Sequence, residues 1–289
     1  MGAGVNAAGP YWGSYVALAT KHAKSIAVAP EFHERLGAGV TEVALDTDAF
    51  GTFTGEVQRR GTAIDTARRK CEAGLDFLGA EYGVASEGSF GSHPWSPLAA
   101  IGQDILYFID RRRSFHLHVH RTCEATNFRK QAIASEEDLE RFAAESLFPT
   151  HALVVRPNQR NPGEPLHKGI TTWDQLLRVY RSSRAQSPDG LAWVETDMRA
   201  HVNPTRMSEI RALARKLACR LATPCPACES PGWGMVAAEK GLPCEHCNQS
   251  TEIIRHYVLG CVFCDHSERS ARHDGLVKAP AIQCTWCNP

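Results

Sequence analysis

The chain has 289 residues, 43% of them hydrophobic, and its 32 basic and 32 acidic residues leave no formal net charge. This is enough apolar material for one large or two modest domains with a real core. A neutral chain has no overall attraction for nucleic acid, and no run of about 18 apolar residues is present to cross a membrane.

Residues 1–12 have neither the basic start nor the long apolar segment of a signal peptide, and we interpret them as a flexible leader. The chain has 11 cysteines, most of them in closely spaced pairs near the C-terminus. An odd count with this spacing favours metal binding in a reducing compartment over a disulfide framework. A cytoplasmic protein is therefore expected.

Short apolar segments alternate with helical patterns through residues 13–222. Strands are predicted over residues 15–20, 40–45, 82–86, 151–156 and 191–194, with a hairpin at 105–110 and 115–121. This alternation predicts one α/β domain, in which a mixed sheet has flanking helices.

Several polar residues mark the starts of the predicted helices. Thr62 is followed three residues later by Asp65, a variant of the capping box, and Gly79 is placed to end that helix. Asn203 before Pro204 is expected to cap a final, strongly basic helix, with Arg206 on its outer face.

Three residues at the ends of predicted strands are candidates for a binding site. Thr20 and Lys24 lie between the first strand and the first helix, where helix amides and an ammonium group can hold a phosphate. Glu87 follows the third strand between small residues, where a carboxylate can face a cleft. The alternatives are ordinary surface lysines and a plain turn.

A second candidate surface lies in residues 195–206, directly after a buried strand. Because side chains alternate along an extended strand, one face would carry five polar groups. These are Glu195, Asp197, Arg199, His201 and Asn203. Carboxylates, a guanidinium and an imidazole together are typical of an acid/base or metal site. A solvated strand face is the alternative, and Lys168 is either a further site residue or surface charge.

The C-terminal residues 223–289 contain four Cys-x-x-Cys pairs, separated by gaps of fifteen, thirteen and nineteen residues. The eight cysteines are Cys225, Cys228, Cys244, Cys247, Cys261, Cys264, Cys284 and Cys287. Two pairs bind one tetrahedral zinc ion, so four pairs predict two structural zinc ions in a small double zinc-ribbon-like domain. Consecutive pairing of the knuckles and nested pairing, as in the cysteine-rich domain of J-domain co-chaperones, both remain open.

From Cys225 onward, the sequence contains five basic and seven acidic residues, and zinc–thiolate centres would add further negative charge. A phosphate-binding surface needs the opposite sign. A protein partner is therefore a better expectation for this segment than nucleic acid.

The whole chain resembles an uncharacterised bacterial family, a domain of unknown function with a Cys-rich C-terminus. The segments that carry the resemblance are residues 19–24, 46–55, 85–91, 195–201, 203–206 and 241–244. This family supplies no established activity.

Residues 15–130 are also similar to the inosine/xanthosine triphosphatase group of nucleotide pyrophosphatases. The matching features are Thr20 with Lys24, Ala67 with Lys70, Glu87 with Gly88, and a hairpin at residues 105–121. The resemblance implies that Lys24 binds phosphate and that Glu87 holds magnesium or activates water. The Asn that usually precedes the Lys is missing, and residues beyond 130 have no counterpart.

These observations together predict a metal-dependent hydrolase of a phosphate ester or anhydride, and more narrowly a nucleotide pyrophosphatase. Magnesium would be held among Glu87, Asp197 and Glu195. Lys24, Arg199 and Lys168 would neutralise charge, and His201 or a carboxylate would act as the base. The rival hypothesis is a non-enzymatic zinc-binding adaptor.

Overall fold

A computed structural model describes residues 9–52, 57–93, 96–159 and 166–289 of the chain. The described residues form a mixed α/β structure. Its helices are α1 (Ser25–Leu36), α2 (Ala63–Leu78), α3 (Glu136–Glu145), α4 (Trp173–Gln186) and α5 (Pro204–Ala222). The strands of the first two sheets are β1 (Tyr15–Ala19), β2 (Gly39–Val43), β3 (Tyr82–His93), β4 (Ser96–Asp110), β5 (Phe115–Cys123), β6 (Lys130–Ile133), β7 (Leu153–Pro157), β8 (His167–Ile170) and β9 (Ala192–Thr196).

The first sheet is mixed, as the sequence predicts, and has the strand order β2-β1-β3-β4-β5. Strand β1 is parallel to both β2 and β3, whereas β3, β4 and β5 form an antiparallel meander. Helices α1 and α5 cover one face through a core that includes Val28, Phe32 and Leu217. Helix α2 covers the other face with Cys71 and Leu75.

The second sheet has the order β6-β9-β7-β8, with every neighbouring pair antiparallel. Its core joins strand residues such as Val155 and Val194 to α3 through Leu139 and to α4 through Leu176 and Tyr180. Residues 13–222 thus contain two sheets with separate cores, where the sequence predicted one sheet.

The helix starts predicted at Thr62 and Asn203 agree with the structure. The Thr62 hydroxyl accepts a hydrogen bond from the Asp65 amide, and Asn203 caps α5 by accepting from the Arg206 amide at 3.0 Å. Ser135 caps α3 in the same way. Gly79 ends α2 in the left-handed conformation, at φ 61°.

Two strand predictions near the candidate site were wrong. The third strand does not end at Ser86 but continues to His93, which places Glu87 inside a strand. Strand β9 ends at Thr196, and residues 200–202 form a short 3-10 helix. The alternation expected through Asn203 therefore stops at Thr196, because the chain turns there toward α5.

The sequence predicts a leader over residues 1–12, and residues 1–8 of it lie outside the described residues. Tyr11 is only 1% exposed and donates a hydrogen bond to Asp110. Its ring packs edge-on against Tyr82 and Phe108, with centroids 5.3 and 5.6 Å away. Tyr11 thus belongs to the core of the first sheet. The polar segment at residues 158–165, which its prolines and glycine predict to be a loop, also lies mostly outside the described residues.

Residues 223–289, here named the cysteine-rich segment, contain a third, antiparallel sheet. Its order is β10-β11-β12, with strands β10 (Gly234–Lys240), β11 (Ile254–Gly260) and β12 (Ser267–Ser270). The segment packs on β5: the Phe263 ring lies 4.9 Å from the Phe115 ring, and Val262 contacts the core beneath. No helix in the described part of the chain is long and apolar enough to cross a membrane.

Candidate active site and metal centres

A cleft of about 220 Å³ lies where the first sheet, the second sheet and α5 meet. Side chains from both walls predicted by the sequence line it. The described residues around it include Lys24, Asp48, Arg59, Lys70, Ser86, Glu87, Gly88, Phe90, Phe128, Lys130, Lys168, Glu195, Asp197, Arg199 and Arg206. The structure therefore brings six of the eight predicted catalytic and substrate-binding residues to one cavity.

The cleft carries an excess of positive charge. Seven lysines and arginines line it among the described residues, against four carboxylates. Charge of one sign within a cleft of low-dielectric walls raises the local concentration of ligands of opposite sign. A neutral chain thus concentrates positive charge at one place, which overall composition does not reveal.

Glu87 is held by two cations from different elements. Its carboxylate accepts hydrogen bonds from Lys70 of α2 at 2.6 Å and from Arg59 at 2.5 Å, and it is 5% exposed. Arg59 also donates to the Gly88 carbonyl and to the Ser89 hydroxyl. Both Glu87 oxygens are therefore used inside the protein.

Asp197 binds Arg199 and the backbone of β8. Its two oxygens accept from the Arg199 guanidinium at 2.6 to 3.1 Å and from the Gly169 amide at 3.0 Å. The Arg199 amide donates to the same carboxylate at 3.1 Å. A carboxylate has about four lone-pair sites, so Asp197 has little capacity left for a metal ion.

Lys24 is the buried cation of the cleft. Its side chain lies at the base, 7% exposed, and donates to the Ser86 hydroxyl at 2.6 Å. Within the described residues its ammonium has no carboxylate within ion-pair distance. Burial, followed by the charges of Arg206 and Lys70, lowers the Lys24 pKa to about 7.

Arg206 enters the cleft from the first turn of α5, and its placement on the outer face of that helix was wrong. The side chain is 1% exposed. Its guanidinium contacts the Met198 carbonyl, donates to Asp104 at 3.2 Å and lies 5.2 Å over the Phe90 ring. A Cβ atom on Gly88 would be 2.6 Å from this guanidinium, so any larger residue there would force the guanidinium to shift.

Glu195 differs from the other acids in the cleft. Its carboxylate accepts from the indole of Trp193 at 3.2 Å and forms no ion pair within the described chain. Lys130 lies directly opposite it on β6. Glu195 therefore retains acceptor capacity for a ligand, and so does Asp48, which pairs with Lys21 through one oxygen at 2.8 Å.

Two predicted residues do not line the cleft. The Thr20 hydroxyl accepts from the His22 amide at 3.1 Å and so shapes the loop before α1. His201 is exposed and stacks on His22, which does line the cleft, with ring centroids 5.0 Å apart. Burial, together with Lys24 and His201, lowers the His22 pKa to about 3, so this imidazole is neutral near pH 7.

The three acids expected to share a magnesium ion do not form a cluster. In the described chain only two groups bring three or more potential ligands within 4.8 Å of one another, and both consist of cysteines. Glu87 and Asp197 are instead bound by lysine and arginine side chains.

Eight cysteines of the cysteine-rich segment form two four-cysteine groups, as expected for two structural zinc ions. One group is Cys225, Cys228, Cys261 and Cys264, and the other is Cys244, Cys247, Cys284 and Cys287. Sulfur–sulfur distances between the paired knuckles are 3.6 to 3.9 Å. Tetrahedral zinc with bonds of about 2.3 Å requires about 3.8 Å, so both groups fit the ion.

The pairing of the knuckles is interleaved: the first joins the third, and the second joins the fourth. Both pairings considered from the sequence, consecutive and nested, were wrong. The sheet explains the difference, because antiparallel pairing of β10 with β11 brings Gly234, near the first knuckle, opposite Gly260, which precedes the third.

Backbone amides support the thiolates. The Ala227 amide donates to Cys225, His246 to Cys244, and Phe263 to Cys261, at sulfur distances of 3.3 to 3.4 Å. Amides of Cys247 and then His246 lower the Cys244 pKa to about 7. Hydrogen bonds that favour the thiolate prepare the group for a metal ion.

No curated protein matches the chain. A family model described as a domain of unknown function, DUF6671, matches residues 70–289. The match includes β3, the second sheet, α5 and both four-cysteine groups, and it omits Lys24. The likeness of residues 15–130 to nucleotide pyrophosphatases rests only on sequence features, which are Thr20 with Lys24, Ala67 with Lys70, Glu87 with Gly88, and the hairpin at residues 105–121. Because the family model matches well over half of the chain's length, the chain belongs to the DUF6671 family.

Proposed function

We propose that the cleft binds a small phosphorylated molecule and that the protein hydrolyses a phosphate ester or anhydride in it. The observation that carries this proposal is the Lys24 ammonium, nine-tenths buried, with a neutral hydroxyl as its hydrogen-bond partner. A buried charge is costly unless it is paired. A phosphate oxygen would complete its coordination.

The surrounding charges support a phosphate over a neutral ligand. Arg199 is fixed by Asp197, and Lys70 and Arg59 are fixed by Glu87, so the cations are already oriented before a ligand enters. Preorganised cations stabilise the negative charge that develops during phosphoryl transfer. In this proposal Glu87 and Asp197 are positioning residues.

Glu195 is the proposed base, or the single protein ligand of a magnesium ion that arrives with the substrate. Magnesium commonly binds one or two carboxylates together with substrate phosphates, and it would polarise the phosphoryl oxygens. His201 is displaced from the base role by its position outside the cleft. Phe90 and Phe128, whose ring centroids are 5.9 Å apart in the cleft, support a nucleotide as the substrate.

The test measures phosphate and pyrophosphate release from a panel of nucleotides and sugar phosphates, with and without magnesium. Glu195→Gln is expected to lower kcat at least ~100-fold, whereas Glu87→Gln and Asp197→Asn should raise KM as well. Glu252→Gln, at an exposed position paired with Lys240, serves as the matched control. Equal background release by all four variants and the natural protein would refute the proposal.

A protein-binding role for the cysteine-rich segment is the second candidate function. Ile282 and Trp286 beside the second four-cysteine group are 76% and 72% exposed, which is unusual for large apolar side chains. Cross-linking of the full chain in cells, compared with an Ile282→Ala/Trp286→Ala variant, tests it. A partner cross-linked equally by both proteins would reject this surface.

A further inference from the structure

Ser86 and Lys24 are joined by a short hydrogen bond at the base of the cleft. The distance from Nζ of Lys24 to Oγ of Ser86 is 2.6 Å, and the two residues are 3% (Ser86) and 7% (Lys24) exposed. Lys24 is the hydrogen-bond partner of the Ser86 hydroxyl among the described residues. A hydroxyl in contact with a buried amine is the arrangement used by serine–lysine hydrolases.

We propose that Ser86 is a nucleophile and Lys24 its base, so that the cleft works through a covalent phosphoserine intermediate. This inference rests on the proposed function, since it names the group that attacks the phosphorus.

The backbone fixes both groups before a ligand enters. Ser86 lies in the middle of the first sheet, on β3, where it is paired with Leu106 of β4. Lys24 immediately precedes α1, and its carbonyl accepts from the Ala27 and Val28 amides at 3.0 Å. The positions of Ser86 and Lys24 are therefore fixed by a strand and by the start of a helix, which are rigid supports for catalytic groups.

The charges that face Lys24 favour a neutral amine in part of the molecules at neutral pH. Arg206 from α5 and Lys70 from α2 lower its pKa, whereas Asp104 on β4 and Glu87 on β3 raise it. His22 on the adjoining loop is uncharged. Burial has the largest effect and also lowers the pKa, and a lysine of this kind can accept a proton from a hydroxyl.

The first half-reaction transfers the phosphoryl group to the protein. The neutral Nζ of Lys24 takes the Ser86 proton as the Oγ–P bond forms. The bond from phosphorus to the bridging oxygen of the anhydride breaks, and the leaving group departs as an anion with the electron pair. Lys24 becomes an ammonium group beside the phosphoryl oxygens, where its charge is stabilising.

The second half-reaction releases phosphate. A water oxygen attacks the phosphorus, and Oγ leaves with its electron pair and takes back the proton from Lys24. Glu195, the base of the proposed function, takes the proton that water loses and passes it to solvent. This balance agrees with the one proton released when a phosphate anhydride is hydrolysed near neutral pH.

A fluorophosphonate ester tests the pair without any knowledge of the substrate. Attack by Ser86 forms an Oγ–P bond and expels fluoride, and mass spectrometry of the digested protein locates the adduct. We expect labelling of Ser86 in the natural protein and none at this position in Ser86→Ala. Lys24→Gln and Lys24→Arg should both label at least ~100-fold more slowly, because neither side chain accepts the proton.

Ser92→Ala, an exposed position on the same strand, is the matched control and should label at the natural rate. Thermal unfolding of each variant separates loss of nucleophilicity from loss of folding. An unlabelled Ser86, or equal rates for the natural protein and a folded Lys24→Arg variant, would overturn the dyad.

The outcomes for the dyad and for the proposed function are distinguishable. Full phosphate release by Ser86→Ala would show that water attacks directly, which rejects the dyad and leaves the proposed function standing. Labelling of Ser86 in a protein that neither binds pyrophosphate nor releases phosphate would retain the nucleophile and reject the proposed function.

Discussion

Asp197 holds the Arg199 guanidinium through both carboxylate oxygens, at distances of 2.6 to 3.1 Å, and is itself 2% exposed. The residues are two apart in sequence, in the turn between β9 and α5. This contact presents Arg199 to the cleft from the second sheet, opposite the cations of the first.

Replacement of Asp197 by Asn is therefore expected to weaken anion binding and to destabilise the turn. An amide offers one acceptor oxygen and no charge, so Arg199 loses its fixed orientation. Loss of one partner of a buried pair costs about 3–5 kcal/mol, and the partial exposure of Arg199 reduces the expected cost to about 1–3 kcal/mol. Urea unfolding and sulfate titration measure the two effects. Unchanged sulfate affinity would show that Arg199 does not face the ligand.

Gly88→Ala is expected to disrupt the cleft from within. The added Cβ would lie 2.6 Å from both Arg206 Nη2 and Asp104 Oδ1, so this ion pair must shift. Overpacking of this kind costs about 1–3 kcal/mol, and displacement of Arg206 should reduce ligand affinity. Gly91→Ala on the same strand meets nothing within 4 Å and is the control. Equal urea midpoints for the two variants would contradict the prediction.

The positive cleft could be predicted only in part from sequence. Predicted strand ends and polar segments were sufficient to select Lys24, Glu87, Glu195, Asp197 and Arg199, although β3 continues past Glu87 to His93. Arg206 was missed although it lies four residues before Ile210 and seven before Leu213, on the same buried helix stripe. A charged residue in register with an apolar stripe was the available signal.

Other features depend on contacts between distant segments, which spacing does not show. Arg59 reaches Glu87 from a loop, and Phe128 reaches Phe90 from the entry to the second sheet. Two arginines of the basic face of α5 have an acidic partner in the same chain, since Glu31 of α1 accepts hydrogen bonds from Arg211 and Arg215 at 3.0 Å. Local patterns predict elements and caps, but pairing across about 180 residues requires the tertiary fold.

Sulfate binding should weaken as pH rises through about 7. Burial lowers the Lys24 pKa to about 7, so the ammonium that contacts the ligand is present below this pH and is lost above it. Sulfate keeps its charge over this range, and His22 is neutral throughout. One charge-assisted hydrogen bond corresponds to roughly a tenfold change in affinity.

Calorimetric titration at pH 6 and pH 8 measures this change. Lys24→Gln should bind weakly and equally at both values, and Lys24→Arg should remain strong at pH 8. A natural protein whose sulfate affinity is the same at both pH values would exclude Lys24 as the anchor.

The two metal centres are expected to differ in their effect on the folded chain. The first four-cysteine group lies beside the core, because Val262 and Phe263, inside its second knuckle, contact the residues of β5. Arg220 near the end of α5 also donates to the Gly232 carbonyl at 3.1 Å, within the same group's loop. Loss of this metal ion should therefore loosen α5 as well as the cysteine-rich segment.

Cys228→Ser and Cys247→Ser form a matched pair, since each removes one exposed thiol from a different four-cysteine group. Metal analysis should find two zinc ions per chain in the natural protein and about one in each variant. Cys228→Ser is expected to lower the main unfolding temperature by several degrees more than Cys247→Ser, because the first group is packed on the core of the first sheet through Val262 and Phe263. Equal shifts in unfolding temperature would show that the contacts of Val262 and Phe263 do not transmit the loss of the metal ion to that core.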